Sequence, residues 1–172
     1  MALTQNSYRD ITVRFPAQIV IGKNSLLKLN DEIAQSGYTN VIIVTIAPLL
    51  PKIEPLINSL NAAGVSVTVN TSIVREPTYA DFEALLHSVN GIYDDAVIGI
   101  GGGSVLDVAK VLAAQMDNTQ SLNEIAGIGN LKKRSRKIIC VPTTAGTGSE
   151  VSPNAILVDD ADNQKNDSAD FF

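Results

Sequence analysis

The sequence predicts an α/β fold, a mainly parallel sheet with helices on both faces. Short apolar runs alternate with helical patterns along most of the chain, and that order calls for parallel strands joined by helical crossovers. Hydrophobic residues make up 45% of the chain but aromatics only 5%, a composition suited to strands buried on both sides. A glycine run, Gly101-Gly102-Gly103-Ser104, sits between an apolar strand and a helix, where the backbone turns tightly with no Cβ in its way. The 172 residues suffice for one domain with a proper core and are too few for two ordinary ones.

Taken in order, residues 11–15 and 18–21 read as two short strands around Pro16, a hairpin or edge pair. Leu26, Leu29 and Ile33 recur at helical spacing between residues 24 and 35, and Gly37 closes that helix. The uninterrupted apolar run 41–45 reads as a central strand, residues 52–63 as a helix, and 65–69 as another strand. Thr78 and Asp81 have capping-box spacing and open a helix whose inner face is Phe82, Leu85, Leu86 and Val89. Strand 96–100, helix 105–112 and strand 137–141 complete the alternation. The looser connection 118–136 holds one short helical piece, capped by Ser121 and Glu124. Residues 155–158 read as a last strand, and only 159–170 is polar enough to suggest disorder.

Charge and cysteine usage narrow the function classes. A net charge of -5 argues against a general nucleic-acid binder. Lys132, Lys133, Arg134 and Arg136 form the one basic spot, expected as a solvated loop. Cys140 stands alone, which rules out a disulfide within one chain, and reads as a small buried strand residue. No basic-then-apolar leader and no apolar stretch of membrane-spanning length is present, so a cytoplasmic protein is expected.

The glycine run carries the chemistry. Amides at the opening of a helix face outward with the positive end of the dipole behind them, which makes a phosphate site. A tight turn with close packing is the alternative. A phosphate-binding P-loop is excluded, because no Lys followed by Ser or Thr comes after the last glycine. The common dinucleotide fingerprint also fails in its strict form, since Ser104 stands where its third glycine belongs. Asp107, expected in the first helical turn, could touch the ligand, bond loop amides or pair with Lys110. A second segment, Pro142 through Glu150, adds hydroxyls and glycines after another strand, and both segments belong at the carboxyl edge of the sheet.

A metal centre is not predicted. His87 is the only histidine and falls on the outer face of its helix, while Cys140 is far from it. Asp159, Asp160 and Asp162 read as a solvated tail rather than a ligand cluster, and no nucleophile with an adjacent base is visible.

Residues 98–110, from Ile98 through the glycines to Lys110, followed by 140–152 with Pro142-Thr143-Thr144-Ala145-Gly146-Thr147-Gly148-Ser149-Glu150, closely resemble the iron-containing (group III) alcohol dehydrogenases. Fainter agreement covers 15–22, 41–45 and Glu76-Pro77-Thr78. The resemblance implies a Rossmann-like dinucleotide-binding domain over residues 1–165, holding NAD or NADP. Gly101, Gly102, Gly103 and Ser104 would cradle the pyrophosphate, with Asp107 close by. Thr143, Thr144 and Thr147 would line the adenosine and phosphate path, and Asn154 and Lys165 would lie nearer the nicotinamide.

In the family, an all-helical domain follows and holds Fe2+ or another divalent metal on an Asp and three His. That ligand set is absent from these residues, and 166–172 do not continue like the family, as in a chain cut short or a shifted reading frame. The resemblance therefore implies the nucleotide-binding half of an alcohol dehydrogenase or aldehyde reductase, with no catalytic residue of its own. This half would be inactive alone; the intact protein would act on a small alcohol or aldehyde and would be a homo-oligomer. The family's NAD-preferring members end the strand after Val41 in an Asp, whereas this chain has Ile46 there, which leaves NAD or NADP open. The alternatives are a non-catalytic nucleotide-binding or interaction module, or a relative of glycerol dehydrogenase or dehydroquinate synthase, which fits 143–150 less well.

Overall fold

Asn40–Val44 (β1), Ser66–Asn70 (β2), Ala96–Gly101 (β3) and Lys137–Pro142 (β4) run parallel in the spatial order β2-β1-β3-β4 in a computed structural model of the chain. The structure describes residues 16–127, 129–134 and 136–159, and the backbone of 164–168. Helices join the strands: Leu29–Gln35 (α1) precedes β1, Leu50–Ala62 (α2) links β1 to β2, Tyr79–Ser88 (α3) links β2 to β3, and Gly103–Gln115 (α4) links β3 to β4. A single turn, Leu122–Ile125 (α5), lies in the last of these connections.

Strand side chains alternate between two cores, as a period of two requires. Val41, Ile43, Ala96, Ile98 and Ile100 pack with Leu29, Ile33, Ile53, Leu56 and Leu60 of α1 and α2. Ile42, Val44 and Val97 pack with Phe82 and Leu85 of α3 and with Val105, Val108, Ala109 and Leu112 of α4. Helices therefore cover both faces, as predicted. Each Val, Leu, Ile or Phe among them contributes roughly 1.5–3 kcal/mol by leaving water.

The local signals hold where they were read. Gly37 has φ +69°, and the amide of Tyr38 donates back to the carbonyl of Ile33 at 3.2 Å, ending α1. At α3 the Asp81 amide donates to Thr78 Oγ1 at 3.1 Å and the Thr78 amide to Asp81 Oδ2 at 3.2 Å, the reciprocal capping box. Ser121 and Glu124 repeat it at α5.

Several expectations are corrected. The helix expected from residue 24 begins as a 3-10 turn, Ser25–Lys28, before α1. Residues 18–21 join no ladder among the described residues, and Ile19, Val20 and Ile21 are exposed, so no sheet face covers them; residues 11–15 lie outside the described ones. The polar stretch expected to be disordered contains a strand, Gln164–Ser168 (β6), antiparallel to Ala155–Asp159 (β5). Backbone pairing recruits a strand without help from apolar side chains, and the ladder of β5 supplies the partner. Arg136 is not solvated either. Its Nε donates to Asp94 at 2.9 Å and its Nη2 to Asp117 at 2.6 Å, and its guanidinium lies 6.0 Å from the ring centre of Tyr93. A buried carboxylate needs such a partner. Among the described residues, no helix is long and apolar enough to cross a membrane.

Candidate functional site

The connections diverge between β1 and β3. From β1 the chain steps outward through α2 to β2; from β3 it steps the other way through α4 to β4. The crevice beyond the carboxyl ends of these two neighbours is where open α/β sheets bind ligands. It is braced by the buried Thr45 hydroxyl, which donates to the carbonyl of Ile100 at 2.8 Å. The Thr143 amide donates to the carbonyl of Gly101 at 2.9 Å, tying the two glycine-rich segments together.

None of Gly101, Gly102 and Gly103 has a positive φ. Space, rather than dihedral freedom, demands them. A Cβ on Gly101 would lie 2.7 Å from Val105 Cβ and within 2.9 Å of both its methyls. On Gly103 it would lie 3.1 Å from Thr147 Cγ2, and on Gly102 3.3 Å from Thr144 Oγ1. Gly102 is the N-cap of α4 and its carbonyl accepts from Val105 and Leu106 at 3.0 and 3.1 Å. The amides of Gly103 and Ser104 are thus left without intrahelical acceptors. No acidic residue lies in the first turn of α4, so nothing on the helix competes for its positive end.

Two cavities flank this turn and share Gly103 and Ser104. The larger, about 450 Å³, is also lined by Glu76, Asp107, Thr147, Ser149, Ser152, Asn154 and Ile156. The smaller, about 350 Å³, is bounded by Ile46, Ile73, Val74, Arg75, Gly102, Val105 and Thr144.

The helix begins at Gly103, so Asp107 stands in its second turn and not, as expected, in its first. There it is fully engaged. It accepts from Lys110 Nζ at 3.1 Å, from the Ser149 hydroxyl, and from the Ile156 amide at 3.2 Å. Lys110 is wholly buried, and its other bonds go to the carbonyls of Ser152 at 3.2 Å and Asn154 at 2.6 Å. Three donors meet three acceptors, which is how an ammonium is tolerated inside a protein. The pairing with Lys110 was one of three readings of Asp107; the depth of that lysine was not foreseen. Its signal is position: a lone cation one turn after an acid on an otherwise apolar helix.

The predicted residues therefore divide. Gly103, Ser104, Asp107, Thr147 and Asn154 line the larger cavity, and Gly102 and Thr144 the smaller, with Gly103 and Ser104 common to both. Gly101 ends β3 behind the turn, and Thr143 contributes its amide but lines neither cavity. Lys165 stands in β6 in register with Val158. Sequence reasoning missed Ser149, Ser152, Ile156 and Arg75 as lining residues, and gave Glu76 only as part of a fainter match.

The profile of the family described as "Iron-containing alcohol dehydrogenase" matches residues 16–171. The chain belongs to this family. It is 30% identical over 171 residues to the bifunctional aldehyde-alcohol dehydrogenase of Escherichia coli (strain K12), covering 92% of this chain and 19% of that protein. It is 34% identical over 149 residues to long-chain-alcohol dehydrogenase 1 of Geobacillus thermodenitrificans (strain NG80-2), covering 83% and 38%. Among solved structures, the sulfoacetaldehyde reductase of Bifidobacterium kashiwanohense in complex with NAD+ superposes with a TM-score of 0.82 at 27% identity, over 96% of this chain and 45% of that one. The chain thus spans less than half the length of each of these relatives.

The iron in the family's name finds no ligand set among the described residues. A catalytic metal needs about three convergent side chains, and no group of three or more His, Cys, Asp or Glu is placed to hold one among them. His87 is exposed on α3. Burial pushes the Cys140 thiol up to about 11, so it stays protonated at neutral pH.

Proposed function

We propose that the chain is the nucleotide-binding part of an NAD(P)-dependent alcohol dehydrogenase or aldehyde reductase. The observation that carries this reading is the glycine turn between two cavities at the switch point of the sheet, with the helix amides of Gly103 and Ser104 at the junction. A dinucleotide has that form: two bulky ends joined by a doubly charged pyrophosphate.

In this reading Gly101, Gly102, Gly103 and Ser104 cradle the pyrophosphate, the α4 dipole offsetting its charge. Thr143, Thr144 and Thr147 follow the adenosine and phosphate path. Asn154 and Lys165 lie toward the nicotinamide, in the lobe that Asp107 and Lys110 hold in shape from behind. Bound there, the nicotinamide ring supplies the hydride acceptor or donor for a small alcohol or aldehyde. The residues of this chain bind and orient it, which is most of what a protein adds to cofactor chemistry. Residues 1–165 form this domain, and divalent metal ligands are supplied from elsewhere in the intact protein. We further read that protein as a cytoplasmic homo-oligomer without nucleic-acid or membrane partners, in keeping with the net charge of -5.

Titration calorimetry of the 172-residue chain with NAD+ and NADP+ tests the reading. Saturable heat is expected with at least one of them, and it should vanish in Gly103→Val and weaken in Thr147→Val while the thermal transition persists. A well-folded chain that binds neither nucleotide overturns the reading.

A further inference from the structure

The smaller cavity differs in character from the larger. Its wall at the end of β1 is Ile46, which forms a backbone bridge with Ser72 and so brings the following segment, Ile73 to Arg75, across the carboxyl end of that strand. Among the described residues no carboxylate lines it and Arg75 is its one cation, with a side chain 67% exposed. Glu76, the next residue, lines the other cavity.

Resting on the dinucleotide reading above, we infer that Arg75 and Ile46 make this cavity a seat for a 2′-phosphate, so that the chain selects NADP over NAD. In a dinucleotide-binding sheet the adenosine ribose reaches from the glycine turn toward the neighbouring strand's end. A carboxylate there accepts from the 2′-hydroxyl and repels a phosphate, whereas a nearby arginine accommodates the phosphate. Here the neighbour of β3 is β1, and Ile46 stands just beyond its last residue, Val44. The repelling group is missing and the attracting one is present.

Arg75 is also pre-positioned. Its Nη2 donates to both oxygens of Asp81 at 3.0 and 3.1 Å, and Asp81 is fixed in the α3 capping box with Thr78. Asp81 does not line the cavity. A guanidinium carries five N–H groups, and Nη2 supplies two of them. The three on Nε and Nη1 stay available in a fixed plane as single donors to phosphate oxygens, since both paired edges of the guanidinium include Nη2. Ile73 and Val74 supply the apolar wall an adenine ring needs, and Thr144 lines the same cavity.

Calorimetry with four probes reads the inference: NADP+ against NAD+, and adenosine 2′,5′-bisphosphate against 5′-AMP, pairs that differ only by the 2′-phosphate. Hydrogen bonds to a charged partner imply roughly tenfold or tighter binding of the phosphorylated member of each pair. Arg75→Gln should bring both ratios close to one, and Ile46→Asp should invert them. Asp81→Asn, which loosens the helix cap but leaves the guanidinium, should keep NADP+ ahead and so guards against a purely structural effect. NAD+ binding as tightly as NADP+, or a ratio that survives Arg75→Gln, overturns the inference and leaves the dinucleotide reading standing. Failure of both nucleotides to bind the folded chain overturns that reading, and this inference with it.

Discussion

Lys110 Nζ lies 3.1 Å from Asp107 Oδ1, three residues back on the same helix, and has no solvent exposure. The same ammonium holds the carbonyls of Ser152 and Asn154, and the same carboxylate holds the Ser149 hydroxyl and the Ile156 amide. One ion pair thus joins α4, the helix behind the glycine turn, to the far wall of the larger cavity.

Breaking that pair from either side should be costly. Lys110→Met leaves the Asp107 carboxylate without its cation and two carbonyls without a donor, a loss expected at about 3–5 kcal/mol. Asp107→Asn should cost less, because an amide oxygen can still accept from Ser149 and Ile156. Urea unfolding of the two single variants and the double variant measures the coupling; additive losses would show that the two residues act independently.

Gly101→Ala tests the steric account of the glycine turn. The added methyl would meet the Val105 side chain at 2.7–2.9 Å, and overpacking of this kind costs about 1–3 kcal/mol. The expected fall in Tm is a few degrees. Val105→Ala in the same chain removes two of the three clashing atoms, the γ-methyls, and leaves Cβ at 2.7 Å, so it should recover only part of the loss, beyond what its own cavity subtracts. A Gly101→Ala chain with unchanged Tm would contradict the close packing.

Two adjacent acids should act oppositely on acid stability. Burial raises Asp94, and Arg136 opposes it only in part. Burial also pushes Asp95 upward, but the Thr39 and Asn40 amides, at 2.7 and 3.0 Å, outweigh it and hold Asp95 below its ordinary 3.8. A lowered folded-state pKa means the unfolded chain binds more protons, so the Asp95 contribution is present above pH 3.8 and is lost as pH falls below it. For Asp94 the folded chain binds more protons, so its contribution is present below pH 3.8 and fades as pH rises above it. Unfolding free energies across the acid range should therefore lose part of their low-pH decline in Asp95→Asn. In Asp94→Asn they should climb more steeply just above pH 3.8. Identical pH profiles for both variants would contradict these assignments.

The fold was legible because its strands and helices obey local rules. The runs ending at Val44 and Gly101 are unbroken apolar stretches, and Thr78 with Asp81 is a cap visible in four letters. Both glycine-rich segments could be placed on one sheet edge because strand polarity and right-handed crossovers leave little choice. What escaped notice depends on tertiary neighbours. Gln164–Ser168 pairs through its backbone, which composition does not report. Arg136 looks like its solvated neighbours until Asp94 and Asp117 are brought to it from 42 and 19 residues away. Arg75 reaches a cavity only because Ser72 is drawn to Ile46, a contact between segments that no spacing encodes.

The hairpin of β5 and β6 docks on the start of α3 through the Val158 amide, which donates to the Pro77 carbonyl at 3.0 Å. With Lys110 clamped on the residues just before it, this wall is tied to α4 by one buried ion pair. Parting this wall from α4 would pull a desolvated ammonium off its oxygens.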